Sequence, residues 1–297
     1  MSVIVATLYR FADLPDFAAK RAPLLALGRE WGVRGTLLLA REGINGTIAG
    51  SREAIDALLA WLRADPRLAA LRAKESVTPA LPFQRFKVRL KREIVTLGQP
   101  GLDPSRQTGI AVPPQEWNAV ITDPDTITID TRNGFEVAIG NFAGAIDPQT
   151  RTFREFPAFV QQHLDPQQHR AIAMYCTGGI RCEKASAYLL QQGFGRVYQL
   201  QGGILNYLEQ VSPTASQWQG ECFVFDERVA VGHGLAPGSY EMCLACGHPI
   251  NAADQASPHY LPGIACPHCY ADLTPEKRDR QRARQQTRQA RQSAHPA

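Results

Sequence analysis

The spacing of apolar residues changes repeatedly along the chain, and the changes mark its elements. Val3 to Tyr9 is rich in β-branched residues and reads as a strand. Pro15 to Trp31 reads as helical, with a break or restart expected at Pro23, where a mid-helix proline would remove a hydrogen bond. Arg34 to Ala49 reads as two strands about a tight turn, with Gly43 and Asn45-Gly46 supplying left-handed positions. Ser51 then caps an amphipathic helix whose Ile55, Leu58, Leu59 and Leu62 share one face. Phe83 to Leu97 reads as the last strand of this part. The order strand-helix-strand-strand-helix-strand predicts an α+β, ferredoxin-like (acylphosphatase-like) sandwich over residues 1–97.

Glycine and proline crowd the stretch from Gly98 to Pro114, so residues 98–118 read as a linker. Beyond it the pattern is different. Pro114 to Ile121 reads as a short helix, Thr126 to Arg132 as a strand, and Thr152 to Leu164 as a helix starting properly at Pro157. Ala171 to Tyr175 is apolar on both faces and reads as a buried strand. A helix follows from Cys182 to Gln192, stopped by Gly193, and then a strand from Val197 to Leu200. Short buried strands alternating with helices predict an α/β domain with a parallel sheet over residues 119–217. Glu221 to Val229 reads as one more, alternating strand, inside a cysteine-rich segment spanning 218–273. Residues 274–297 have almost no large apolar side chain and read as a disordered tail.

Composition and charge sharpen this multidomain picture. The 297 residues are 44% hydrophobic, enough for more than one core. No apolar run approaches the length of a membrane span, and Met1 to Arg10 lacks the basic and apolar regions of a signal peptide. A cytoplasmic protein with no membrane partner is expected. The seven cysteines are odd in number and four fall in Cys-x-x-Cys pairs, which favours metal and thiol chemistry over a disulfide framework. The net charge of +4 is carried by the tail, where seven Lys/Arg stand against three Asp/Glu from Tyr270 onward. Upstream, Arg85, Lys87, Arg89 and Lys91 alternate and would share one face of a strand. Such a row is either a solvated sheet face or a contact for a nucleic-acid backbone.

The candidate chemistry centres on Cys176-Thr177-Gly178-Gly179-Ile180-Arg181-Cys182, between the buried strand and the following helix. Ligands of open α/β sheets bind at such strand ends. The helix dipole, the loop amides and Arg181 all favour an anion there, so Cys176 is expected to be a thiolate near neutral pH. Gly178 and Gly179 let the backbone curl so that its N–H groups converge. The bland alternative is a buried structural cysteine beside a glycine turn.

Four residues separate Cys176 from Arg181, one fewer than in the phosphate-cradling loop of cysteine phosphatases. The shorter ring suits a sulfur atom added to the thiolate. The strand, loop and helix closely resemble the active loop of the rhodanese domain, whose cysteine carries a persulfide. Asp130-Thr131-Arg132 and the downstream Gly144-Ala145 resemble the entry of that domain, and Gln201-Gly202-Gly203-Ile204 its closing motif. Asp130 and Arg132 are expected to pair at a strand end and hold the scaffold together.

Cys243-x-x-Cys246 and Cys266-x-x-Cys269, with nineteen residues between the pairs, have the spacing of a tetrahedral zinc site. Four thiolates would fill it, so the site reads as structural, with His248 and His268 beside it rather than in it. Lys277, Arg278, Arg280, Arg282 and Arg284 alternate with other polar residues in the tail and suit either solubility or RNA contact.

The ferredoxin-like and rhodanese-like domains, the Cys176 loop with its second cysteine and following Glu183-Lys184, and the run Cys222 to Val229 occur together. That combination resembles the rhodanese-domain tRNA uridine hydroxylases (the TrhO family) across nearly the whole chain. The resemblance implies hydroxylation of the tRNA wobble uridine at C5, with molecular oxygen as co-substrate and Cys176 as the reactive cysteine. Cys182 could then serve as a resolving thiol. The alternatives are a sulfurtransferase, fed by a sulfur donor and passing a persulfide sulfur to tRNA or protein, and a non-catalytic RNA-binding module.

Overall fold

The computed structural model describes residues 2–294, with side chains described through residue 288. The first domain is a five-stranded sheet with two helices on one side. Its elements are β1 (Val3–Phe11), α1 (Arg21–Glu30), β2 (Arg34–Ala40), β3 (Gly43–Gly50), α2 (Arg52–Arg63), β4 (Arg72–Thr78) and β5 (Phe86–Leu90). The strands lie in the order β4-β1-β3-β2-β5. Alternation along each strand sends Ile4, Ala6, Leu8, Leu37, Ile44, Ile48 and Val88 into a core shared with Ile55, Leu58 and Leu62 of α2. Ser51 Oγ caps α2 by accepting the Ala54 N–H at 3.2 Å, as expected.

Three local expectations change. Pro23 does not break a helix; it is the third residue of α1, in the first turn, where no intrahelical N–H bond is lost. Arg41 and Glu42 make the β2–β3 turn, while Asn45 and Gly46 lie inside β3 opposite Leu38 and Leu37. The basic strand does not close the ferredoxin-like order. That position belongs to β4, whose only large apolar residue is the 67% exposed Val77, so its sequence lacks a buried alternation. The basic strand is β5, added at the other edge and parallel to β2.

The second domain has a four-stranded, all-parallel sheet in the order β6-β10-β9-β7. Its elements are β6 (Ile110–Val112), α3 (Pro114–Ile121), β7 (Thr126–Asp130), α4 (Gly134–Val137), β8 (Gly140–Phe142), α5 (Phe156–His163), β9 (Ala171–Tyr175), α6 (Ile180–Gln191), β10 (Arg196–Leu200) and α7 (Gly203–Gln210). Every residue of β9 is buried, as its continuous apolar run requires. The glycine- and proline-rich stretch before it is tied to this domain rather than hanging free. Leu97 and Leu102 enter its core, and β6 supplies an edge strand.

The remaining segments are small. β11 (Trp218–Gly220) pairs with β8, and β12 (Cys222–Phe223) with β13 (Ala230–Val231). Glu221 to Val229 is therefore a short hairpin arm and its turn, where Asp226 accepts two bonds from the Arg228 guanidinium. β14 (Glu241–Met242), β15 (Pro249–Ile250), α8 (Ala252–Ala256) and α9 (Pro267–Tyr270) form a cysteine-bearing module. The tail is helical as α10 (Pro275–Ala294), not disordered, because Ala, Arg, Gln, Glu and Lys are strong helix formers. Thr274 Oγ1 caps it by accepting the Lys277 N–H at 3.3 Å, and Gln285 lies against Gly263 of the cysteine module. The last residues of the expected tail, 295–297, lie outside the described residues.

Candidate active site

β9 ends at Tyr175, and Cys176 begins the loop that leads into α6. Gly179 adopts φ +98°, which turns its N–H back onto the Cys176 sulfur at 3.1 Å. A second glycine pair locks the loop from below. At the start of α7, Ile204 N–H donates to the Cys176 carbonyl at 3.0 Å and Leu205 N–H to that of Thr177 at 3.1 Å. A Cβ on Gly203 would stand 2.5 Å from the Cys176 carbonyl oxygen, so only glycine allows this approach. Gln201-Gly202-Gly203 thus acts on the loop by positioning its backbone.

Cys176 is fully buried, and burial works against ionising its thiol. The Cys182 side chain, the Arg181 charge and the Gly179 N–H outweigh burial and hold Cys176 below the ordinary thiol range. Cys182 moves the other way: burial and the neighbouring Cys176 charge push it well up. Of two thiols in contact, one ionises and the other keeps its proton as a donor. Cys182 also lies 3.5 Å from Thr131 Oγ1.

Arg181 is not a free cation aimed at the loop. Its guanidinium is clamped by Glu136 of α4, with Nη1 to Oε2 and Nη2 to Oε1 both 2.7 Å. Glu136 is completely buried; burial opposes its ionisation, but Arg181 holds its carboxyl below the usual range. Thr177 Oγ1 donates to the same carboxylate at 3.3 Å. Sequence reasoning gave Glu136 no role; its only signal was an acidic residue shortly after Asp130-x-Arg132. Asp130 and Arg132 do pair, entirely buried, with Arg132 Nη2 2.6 Å from Asp130 Oδ2 and 2.6 Å from the Gly140 carbonyl.

The first domain reaches the loop directly. Tyr9 Oη donates to Glu183 Oε1 at 2.8 Å, and a Cβ on Gly179 would stand 2.9 Å from that hydroxyl. Burial, followed by the Glu183 charge, pushes the Tyr9 hydroxyl far above its ordinary range. Lys184, buried at the start of α6, donates to Glu42 at 2.7 Å, to Glu93 at 2.5 Å and to the Val95 carbonyl at 2.9 Å. Ile180 packs beside Phe11, Ala40 and Ile94. Ile180, Glu183 and Lys184 therefore hold the two domains together, while the Gly179 N–H, Arg181 and Cys182 act on the thiol.

The other candidate residues lie apart from Cys176 in sequence and in fold. Arg85, Lys87 and Arg89 are exposed at the β5 edge. Lys277, Arg280, Arg282 and Arg284 are exposed on α10, with Arg278 half-buried. Cys243, Cys246, Cys266 and Cys269 converge, all four sulfurs within 4.8 Å of one another. Cys246–Cys266 and Cys266–Cys269 are 3.7 and 3.8 Å apart. Zinc–sulfur bonds of about 2.3 Å in a tetrahedron give edges of about 3.8 Å, so the donor set fits zinc. His268 Nε2 lies 3.3 Å from Asp254 Oδ1, and its ring stacks on His248 at 3.8 Å.

A parallel sheet with a cysteine loop braced by paired glycines, beside an α+β domain, defines a rhodanese-domain protein with an acylphosphatase-like partner domain. Family models match both parts: the UPF0176 acylphosphatase like domain over residues 3–94 and the Rhodanese-like domain over 113–210. Over 286 residues the chain is 54% identical to the tRNA uridine(34) hydroxylase of Picosynechococcus sp., covering 96% of each protein. The chain belongs to the tRNA uridine(34) hydroxylase family, a family of enzymes. Among solved structures, a rhodanese-like domain from Anabaena sp. is 18% identical, with TM-score 0.31, over 37% of this chain and 78% of that one. An acylphosphatase from Coxiella burnetii is 19% identical, with TM-score 0.24, over 30% and 93% respectively. No helix among the described residues is long and apolar enough to cross a membrane.

Proposed function

We propose that this enzyme hydroxylates the wobble uridine of tRNA at C5, with Cys176 as its reactive group. The likeness to the Picosynechococcus enzyme along 96% of both chains carries this reading. The chemistry around the loop supports it: a buried thiolate, a protonated Cys182 in contact, and Arg181 neutralised by Glu136. Hydroxylation replaces C5–H by C5–OH. With molecular oxygen as co-substrate, one oxygen atom enters the base and the other leaves as water. That requires two further electrons and two protons. Oxidation of the Cys176 thiolate and the Cys182 thiol to a disulfide supplies both electrons and one proton, solvent supplies the second proton, and a cellular thiol would restore the pair. In this scheme Cys182 is the resolving thiol.

Zinc at Cys243, Cys246, Cys266 and Cys269 would hold the module together, with no ligand position open for chemistry. Arg85, Lys87 and Arg89, with Lys277, Arg278, Arg280, Arg282 and Arg284 of α10, are proposed to contact the phosphates of tRNA. A cytoplasmic location follows from the proposed substrate.

Purified protein, tRNA transcript, air and a thiol reductant should yield 5-hydroxyuridine at position 34, read by nucleoside mass spectrometry. Cys176→Ser should abolish the product and leave tRNA binding nearly unchanged. Full activity in that variant would remove the cysteine from the mechanism. The rhodanese-type loop also supports a sulfurtransferase reading, in which Cys176 passes a persulfide sulfur to the acceptor; thiolated uridine in place of the hydroxylated base would establish it.

A further inference from the structure

The two helices of the first domain both pack on one side of its five-stranded sheet, and the other side carries none of that domain's own helices. Strand pairing aligns its other face into cross-strand rows. One row runs Lys74, Thr7, Thr47, Thr36, Lys87 from edge to edge, and the next runs Arg72, Tyr9, Asn45, Leu38, Arg89. Arg34 stands in the row beyond, opposite Ala49. Arg72, Thr7, Lys87 and Arg89 are exposed, and Thr36 and Thr47 half-buried. At a strand spacing of about 4.8 Å the rows span about 19 Å.

The charge on this face has one sign. These rows hold Arg34, Arg72, Lys74, Lys87 and Arg89 and no carboxylate. The acidic residue of β4, Glu75, points to the opposite side, where it pairs with Arg52 of α2 at 2.7 Å. Within the first row the groups between the edge cations are hydroxyls, with Thr7 Oγ1 and Thr47 Oγ1 3.1 Å apart. A protein-docking face would offer apolar area; hydroxyls framed by cations suit phosphate and ribose oxygens instead. The second row leads to Tyr9, whose hydroxyl lies at Gly179 and Glu183 of the cysteine loop.

We propose that this face is the platform on which the backbone of a single-stranded RNA loop lies, so that one nucleotide is delivered past Tyr9 toward Cys176. The exposed Arg72, Lys87 and Arg89 take phosphates, and the threonine row takes sugar and phosphate oxygens. Lys74, which also lies 3.2 Å from Glu209 of α7, marks where the platform meets the second domain. The inference rests on the tRNA reading above and extends it from the basic strand to residues of β1, β2, β3 and β4.

The test uses full-length Thr7→Glu, Thr47→Glu and Lys87→Glu proteins, each checked by thermal unfolding, with a tRNA transcript as the probe and fluorescence anisotropy as the readout. Each variant should bind about tenfold more weakly than wild type at low salt. Lys87→Glu should also flatten the slope of log affinity against log salt by about 0.7 for each phosphate it no longer neutralises. Lys87→Arg should restore both. Arg29→Glu, an exposed residue of α1 on the helix-covered side, is the charge-matched control and should bind normally. Wild-type affinity in all three variants, or an equal loss in Arg29→Glu, would overturn the platform and leave the hydroxylase reading intact. A wild-type protein that neither binds nor hydroxylates tRNA would overturn that reading, and the platform with it.

Discussion

Cys176 combines total burial with a lowered pKa, two properties that ordinarily oppose each other. Burial alone would raise it, as it raises Cys222 to about 12. The difference lies in the neighbours. Cys222 lacks a compensating donor set, whereas Cys176 has the Gly179 N–H, the Cys182 side chain and the Arg181 charge. Arg181 in turn stays buried because Glu136 binds both its Nη atoms; without that partner, a buried cation would cost about 3–5 kcal/mol. This ionisation links stability to pH. The folded-state pKa of Cys176 lies below its unfolded value, so the stabilisation is complete above the ordinary thiol range and is lost as pH falls through the folded value. Cys182 keeps its proton across that interval and does not mask the effect. The stability difference between wild type and Cys176→Ser, measured by urea unfolding, should therefore grow as pH rises from weakly acidic toward the thiol range. A difference independent of pH would mean that the folded thiol is not ionised.

At the scale of elements, the sequence was legible wherever burial was two-sided or strongly periodic. β9, α2 with its Ser51 cap, and the cysteine loop fall where their patterns put them. β4 was not legible, because Arg72, Lys74, Ser76 and Thr78 share one face and Glu75 and Val77 are exposed on the other. Glu136 escaped for a different reason. Its role depends on α4 meeting the start of α6, a contact between residues 45 apart that no local spacing encodes. The four cysteines of the module were legible because both pairs have a ligand spacing of their own. They also fix a prediction for that element, whose buried apolar cluster contains only Ile250 besides Cys243 and Cys266. So small a core needs a metal to stay folded. Purified, reduced protein should carry about one zinc per chain. Cys246→Ser should lose it and open residues 240–270 to limited proteolysis while the two larger domains stay resistant. Metal-free protein with this segment equally protected would contradict the zinc assignment.

For the whole molecule, the decisive contacts are those that seat the first domain on the cysteine loop. Tyr9 meets Glu183 at the loop, Ile180 enters an apolar cluster with Phe11 and Ile94, and Lys184 gathers Glu42, Glu93 and the Val95 carbonyl. Lys184 is 1% exposed, so its ammonium has left water and is matched by two carboxylates that are themselves largely buried. Removing it would leave Glu42 and Glu93 facing each other without a cation, and burying like charges is unfavourable. The domains should respond by separating locally rather than by unfolding, because each has its own core. Separation would lift Tyr9 from Gly179 and open the path to a sulfur that is fully buried in the docked arrangement. Lys184→Met should therefore raise the rate at which a small alkylating reagent modifies Cys176, followed by peptide mass spectrometry, by about tenfold, corresponding to about 1.4 kcal/mol of docking free energy. Cys222, buried beneath the second domain's own elements, is the internal reference and should not change. Equal acceleration at both cysteines would mean global loosening of the second domain. An unchanged rate at Cys176 would mean that the apolar contact of Ile180 and the Tyr9–Glu183 bond hold the domains without Lys184.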